Sequence, residues 1–111
     1  MAKLDLQDLV RWRQAALLSG WHAAVLAREL DVSRRQLQRY TRAVFHCSPQ
    51  KWLNEQRLIL AGERLKGLRS VKVVAYELGY KQLSHFSRQF KHFHHVAPTA
   101  FLARLGCKAQ D

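Results

Sequence analysis

The chain has 111 residues, enough for one domain or two very small ones sharing a core. Lys and Arg number 19 against 8 Asp and Glu, a formal charge of +11, and the 48% hydrophobic content is that of an ordinary folded protein. No apolar run is long enough to span a bilayer and no secretory pattern opens the chain, so the charge points to a polyanion partner, nucleic acid before membrane surface.

In chain order, Asp5 can cap a first helix running to about Ser19, with Leu6, Leu9, Val10 and Leu17 as its apolar stripe and Gly20 as its stop. A short second helix is predicted over residues 21–30, with Ala23, Leu26, Ala27 and Leu30 inward and a corner at Asp31 and Val32. Ser33 caps a third helix over residues 33–45, in which Leu37 and Val44 face in. Arg34, Arg35, Gln38, Arg39 and Arg42 crowd its other side with no acid among them. A merely solvated face usually mixes signs. Arginine forks onto guanine and glutamine onto adenine, so these are the residue types that read a major groove.

Ser48 and Pro49 together signal a new helix, a capping side chain followed by proline at the first helical position. It is predicted to reach about Lys66, burying Trp52, Leu58, Ala61 and Leu65, and to span roughly 27 Å. Gly62 lies inside it without an evident reason. After a loop over residues 67–69, Ser70 caps a short helix with Val71, Val74, Ala75 and Leu78 inward. Gly79 can take the left-handed conformation of a sharp corner. The next helix, from about Lys81 to Phe93, has Phe86, Phe90 and Phe93 on one face. Ser84, His85 and Arg88 fall on another, with Lys81 and Gln82 at its start. Pro98 begins a last helix with Phe101, Leu102 and Leu105 available for packing; Gly106 is expected to end it, leaving residues 108–111 as a loose tail.

The chain contains itself twice. Ala27, Glu29 and Leu30 match Ala75, Glu77 and Leu78 at one offset. Arg39, His46, Pro49 and Leu53 match Arg88, His95, Pro98 and Leu102 at an offset one residue larger, the extra residue falling at the second turn. This is one supersecondary unit used in tandem. A tandem pair is not a dyad, so one chain is expected to read an asymmetric site.

With both units placed, the chain resembles the DNA-binding domain of the AraC/XylS family. The first unit carries Leu26, Ala27, Leu30, Val32, Ser33, Leu37 and Arg39. The helix after it carries Ser48, Pro49, Trp52, Leu53, Arg57, Leu58 and Ala61. The second unit carries Val74, Ala75, Gly79, Tyr80, Phe86, Ser87, Arg88, Phe90 and Lys91. The resemblance implies an all-α domain of seven helices, with helix-turn-helix subdomains at about 5–47 and 70–106 joined by a linker helix at 48–67. It implies base readers at Arg35, Gln38 and Arg39 in the first unit and at Leu83, Ser84, His85, Ser87 and Arg88 in the second. Ser48, Lys51, Lys81 and Lys91, near helix starts, would hold phosphates. The sequence departs from the family at His46 and His95, where glycine usually follows each recognition helix, and at Thr41, where an aromatic residue is usual.

The leading reading is a sequence-specific regulator of transcription that binds double-stranded DNA as a monomer in the cytoplasm, at the nucleoid, with RNA polymerase as its second partner and no membrane. Successive grooves on one face lie about 34 Å apart; a straight helix of roughly 27 Å falls short, so the reading includes some bending of the DNA. The alternative is a nonspecific architectural nucleic-acid-binding module, which would not need two different recognition helices. No cofactor or metal is expected: His85, His92, His94 and His95 lack ligand spacing on two elements. Cys47 and Cys107 form no CxxC pair and are expected to be reduced and structural. No carboxylate pair, nucleophile–base set or phosphate loop suggests an enzyme. The chain is either a stand-alone short regulator or the DNA-binding part of a longer sensor.

Overall fold

A computed structural model describes residues 9–67 and 70–110. They form seven helices in the order α1 (Leu9–Leu18), α2 (Ala23–Glu29), α3 (Arg34–Phe45), α4 (Pro49–Lys66), α5 (Val71–Glu77), α6 (Leu83–His94) and α7 (Pro98–Gln110), with no strand among the described residues. The chain divides into two compact units, Met1–Gln56 and Arg57–Asp111, with the boundary inside α4.

In the first unit α1 packs on α2 and α2 on α3. The expected stripe on α1 is corrected: Val10 and Leu17 are exposed, at 67% and 48%. The buried face is Trp12, Ala15, Ala16 and Ser19. That set keeps the i, i+3, i+4, i+7 spacing, with one large ring and small residues that permit close approach. Asp5 and Leu6 lie outside the described residues, and of Leu9 only the backbone is described. The Trp12 ring meets Trp52 edge-on at 5.3 Å and Phe45 at 5.9 Å, while Phe45 stacks on Trp52 at 5.4 Å.

Residue 21 also departs from expectation. Trp21 is not helical but sits, buried, in the turn with φ 70°, directly after Gly20 at φ 64°. The Ser19 hydroxyl donates to the Ala16 carbonyl at 2.6 Å and accepts the Trp21 N–H at 3.1 Å, which closes the corner. His22 at the α2 N-cap makes no capping bond. Gln50, from the first turn of α4, does that work instead: its Oε1 accepts from the Ala23 N–H at 3.1 Å and its Nε2 donates to the Trp21 carbonyl at 2.8 Å. On α3, Val44 is 40% exposed rather than inward. Thr41, one turn after Leu37, is fully buried, its hydroxyl donating to the Gln38 carbonyl at 3.2 Å. The last core contact of α3 comes from Phe45, which reaches the tryptophans.

In the second unit α5 packs on α6 and α6 on α7, around Leu58, Ala61, Leu65, Val74, Ala75, Leu78, Phe86 and Phe90. Ser70 caps α5 as expected, accepting the Val73 N–H at 3.0 Å. Gly62 now has its reason. A Cβ there would lie 3.2 Å from Cε1 of His94, whose Nε2 bonds the Leu58 carbonyl at 2.8 Å and whose ring tilts against Phe90 at 4.2 Å. Phe93 is only half-buried, and His94 takes the packing place beside Phe90. Gly106 does not end α7, which continues to Gln110; a single glycine costs a helix about 1 kcal/mol and does not by itself stop it. Leu105 lies outside the residues whose side chains are described.

Candidate nucleic-acid interface

Each unit builds the same corner by the same bonds. In the first, the Val32 N–H donates to the Ala27 carbonyl at 3.0 Å and the Asp31 N–H to the Arg28 carbonyl at 3.1 Å. In the second, the Tyr80 N–H donates to the Ala75 carbonyl and the Gly79 N–H to the Tyr76 carbonyl, both at 3.0 Å. This pair of bonds is the Schellman ending of a helix, which turns the chain through a left-handed residue. Asp31 at φ 57° and Gly79 at φ 87° occupy that position. Ala27 and Ala75 are buried beneath.

The helices that follow, α3 and α6, have twelve residues each. The inserted residue of the repeat is visible between them and their corners: Ser33 alone precedes α3, whereas Lys81 and Gln82 both precede α6. Ser33 forms a capping box, its hydroxyl accepting the Gln36 N–H while Gln36 Oε1 accepts the Ser33 N–H, each at 3.1 Å. Gln82 makes no side-chain cap. Both helices end on a left-handed histidine, His46 at φ 58° and His95 at φ 66°.

Arg34, Arg35, Gln38, Arg39 and Arg42 all stand exposed on α3. Among the described residues none of their side chains has a hydrogen bond or ion pair. Four guanidiniums therefore present their whole donor fork outward from one helix, a concentration of positive charge that favours a polyanion. Gln36, Arg39, Tyr40 and Ala43 line a shallow concavity beside this face, so Tyr40, which the sequence did not single out, adjoins a candidate reader.

On α6 and just before it, Lys81, Gln82, Leu83, Ser84, His85, Arg88 and Lys91 are exposed, while Ser87 is half-buried. Arg88, Lys91, His92 and His95 line an open concavity at i, i+3, i+4 and i+7, which adds two histidines to the basic stripe. The His85 side chain is held in place: its Nε2 lies 3.0 Å from Gln89 Nε2, and its ring meets Tyr80 edge-on at 5.6 Å. Ser48 and Lys51 open α4, and the Ser48 hydroxyl accepts the Lys51 N–H at 3.2 Å. That bond leaves the hydroxyl hydrogen free to donate.

Arg57 braces the second corner from α4. Its Nε donates to the Leu78 carbonyl at 2.8 Å and its guanidinium lies over the Tyr80 ring, 3.7 Å from the centroid. Burial pulls the Arg57 cation's affinity for its proton below the ordinary value and pushes the Tyr80 phenol up; each is partly opposed by the other. Burial, then Glu55, also pushes the Cys47 thiol up against Lys51, which disfavours the reactive thiolate.

Among the described residues no group of three or more His, Cys, Asp or Glu side chains comes together as a metal ion would require, and no helix is long and apolar enough to cross a membrane.

Comparison with known proteins agrees with this geometry. A family model described as a helix-turn-helix domain matches residues 26–104. The transcriptional regulator GbdR of Pseudomonas aeruginosa is 34% identical over 94 residues, 84% of this chain and 26% of GbdR, so the chain spans about a quarter of that relative. The regulatory protein SoxS of Escherichia coli is 30% identical over 101 residues, covering 90% of this chain and 94% of SoxS. The virulence regulon transcriptional activator VirF of Yersinia enterocolitica is 26% identical over 86 residues, 77% of this chain and 32% of VirF. No solved structure matches the chain significantly.

Proposed function

The chain belongs to the AraC/XylS family of helix-turn-helix, DNA-binding transcriptional regulators, and on that premise we propose that it reads one asymmetric DNA site as a monomer, with α3 and α6 entering successive major grooves. The observation that carries the reading is the exposed α3 face, where the side chains of four arginines and Gln38 have no hydrogen-bond or ion-pair partner among the described residues. Arg35, Gln38 and Arg39 read bases in one block of the site; Leu83, Ser84, His85, Ser87 and Arg88 read the other. Arg34, Arg42, Ser48, Lys51, Lys81, Gln82 and Lys91 hold the backbone. Residues 5–47 and 70–106 are the two reading subdomains, and 48–67 the helix that joins them. The output is recruitment or exclusion of RNA polymerase at a promoter, in the cytoplasm at the nucleoid.

The test is selection from a random duplex library at two salt concentrations, followed by sequencing. Two unlike blocks about one helical turn apart are expected. Arg39→Ala should then relax one block and Arg88→Ala the other, each by a factor of roughly 5–150 at the affected base. A library with no enriched motif, and binding that collapses as salt rises, would instead make the protein a nonspecific polyanion binder.

A further inference from the structure

Gln89 sits one turn after His85 on α6, half-buried, and no part of the reading above uses it. It lies between two rings. The Tyr80 hydroxyl donates to Gln89 Oε1 at 2.9 Å, and Gln89 Nε2 stands 3.0 Å from His85 Nε2. The start of this relay is fixed in the core. Tyr80 is 3% exposed, its N–H is bonded to Ala75, its ring lies beneath the Arg57 guanidinium, and Phe86 meets it at 5.1 Å.

The chemistry of the relay selects one arrangement of hydrogens. An amide nitrogen only donates, so His85 Nε2 must accept, and the single proton of the neutral ring is then on Nδ1. Turning the amide over would let the ring carry its proton on Nε2. It would also take from the phenol, on a nearly buried residue, the acceptor its hydrogen now has, and a buried donor without an acceptor is costly. We propose that Gln89 is a positioning residue that fixes the tautomer of His85, so that the ring offers an N–H at Nδ1 to the base it meets and favours guanine over cytosine there.

The assignment follows from the base edges. In the major groove guanine shows two acceptors, O6 and N7, whereas cytosine shows only the N4 donor, which a second N–H cannot satisfy. The inference rests on the reading that α6 enters a major groove, but its first half does not need DNA.

The full chain labelled with 15N, in its free state at pH 8, reports the tautomer through the couplings of its ring protons to each ring nitrogen. The Nδ1–H pattern is expected for His85 and should give way to the Nε2–H form in Gln89→Met. A wild-type ring already in the Nε2–H form would overturn the proposal. The second measurement is library selection with wild type, His85→Ala, Gln89→Met and Tyr80→Phe. The position read by His85 is the one whose preference disappears in His85→Ala, and in the wild type it should select a base that shows an acceptor in the major groove and exclude cytosine, which shows none. Gln89→Met and Tyr80→Phe should each relax that position by roughly 2–10-fold and leave the others as they were. Cytosine at that position, no position answering to His85→Ala, or a Gln89→Met selection identical to wild type would each overturn it. If the wild type enriches no motif at all, the DNA reading fails and takes the base assignment with it, while the ring couplings still decide the tautomer. Tyr80→Phe keeps the buried ring, so it separates loss of the relay from loss of the fold.

Discussion

Trp12 is 1% exposed, and its indole nitrogen is a buried donor with no hydrogen-bond partner. Its stabilising effect is therefore all surface and ring contact. Trp12→Ala should cost about 3–5 kcal/mol in chemical denaturation, whereas Trp12→Phe should cost much less, because the substitution also removes the unsatisfied N–H. His46 is the reverse case, a residue whose backbone rather than side chain matters. Its φ of 58° strains a residue with a Cβ, and His46→Gly should raise stability by about 1 kcal/mol without touching any proposed reader. Tyr80 gives the pH dependence. Its folded phenol ionises above the ordinary value, so it contributes fully below about pH 10, where the unfolded phenol is also neutral, and that contribution is lost as pH rises through the folded value. Tyr80→Phe should flatten the alkaline limb of a stability-against-pH curve; an unchanged limb would assign it to other groups.

At the scale of elements, the two recognition helices share length, corner and ending but differ in how they begin. α3 has a capping box and α6 has no side-chain cap. Hydrogen exchange should therefore find the first turn of α6 less protected than that of α3. α2 has seven residues and too little intrinsic stability to stand alone. Its beginning depends on Gln50 of α4, and Gln50→Ala should cost about 1–3 kcal/mol and fray α2 first, seen as early exchange at Ala23 and Val25. The repeat explains why these elements were legible. The i, i+3, i+4 pattern and the Ser-capped starts of α3, α4 and α5 are local signals, and all three helices begin where those signals put them. The faces of α1 and the end of α7 were less legible. Val10 and Leu17 are as apolar as a core residue, and nothing local says that Trp12 and two alanines will be the buried side.

For the molecule as a whole, the charge sets the expected behaviour with DNA. Each backbone contact releases counterions, so affinity should fall steeply with salt, and Lys51→Ala or Lys91→Ala should each reduce the slope of log affinity against log salt by about 1 while leaving the selected sequence unchanged. A change of selected sequence in either variant would move that lysine from the backbone set to the readers. If both units bind successive grooves, the duplex should also bend, and circularly permuted fragments carrying the selected site would show it as position-dependent mobility.

The sequence by itself determined the number and order of the helices, the serine caps of α3, α4 and α5, the tandem repeat with its one extra residue, and the acid-free basic face of α3, because each of these depends on neighbours within a few positions. Only the tertiary structure decided what depends on distant residues meeting. It placed His94 over Gly62, drew Gln50 onto the start of α2, and set Arg57 against Tyr80. It also tied His85, itself exposed, into a relay that starts in the core. Hydrogen bonds between side chains far apart in the chain leave no period in the sequence, whereas a helix face does.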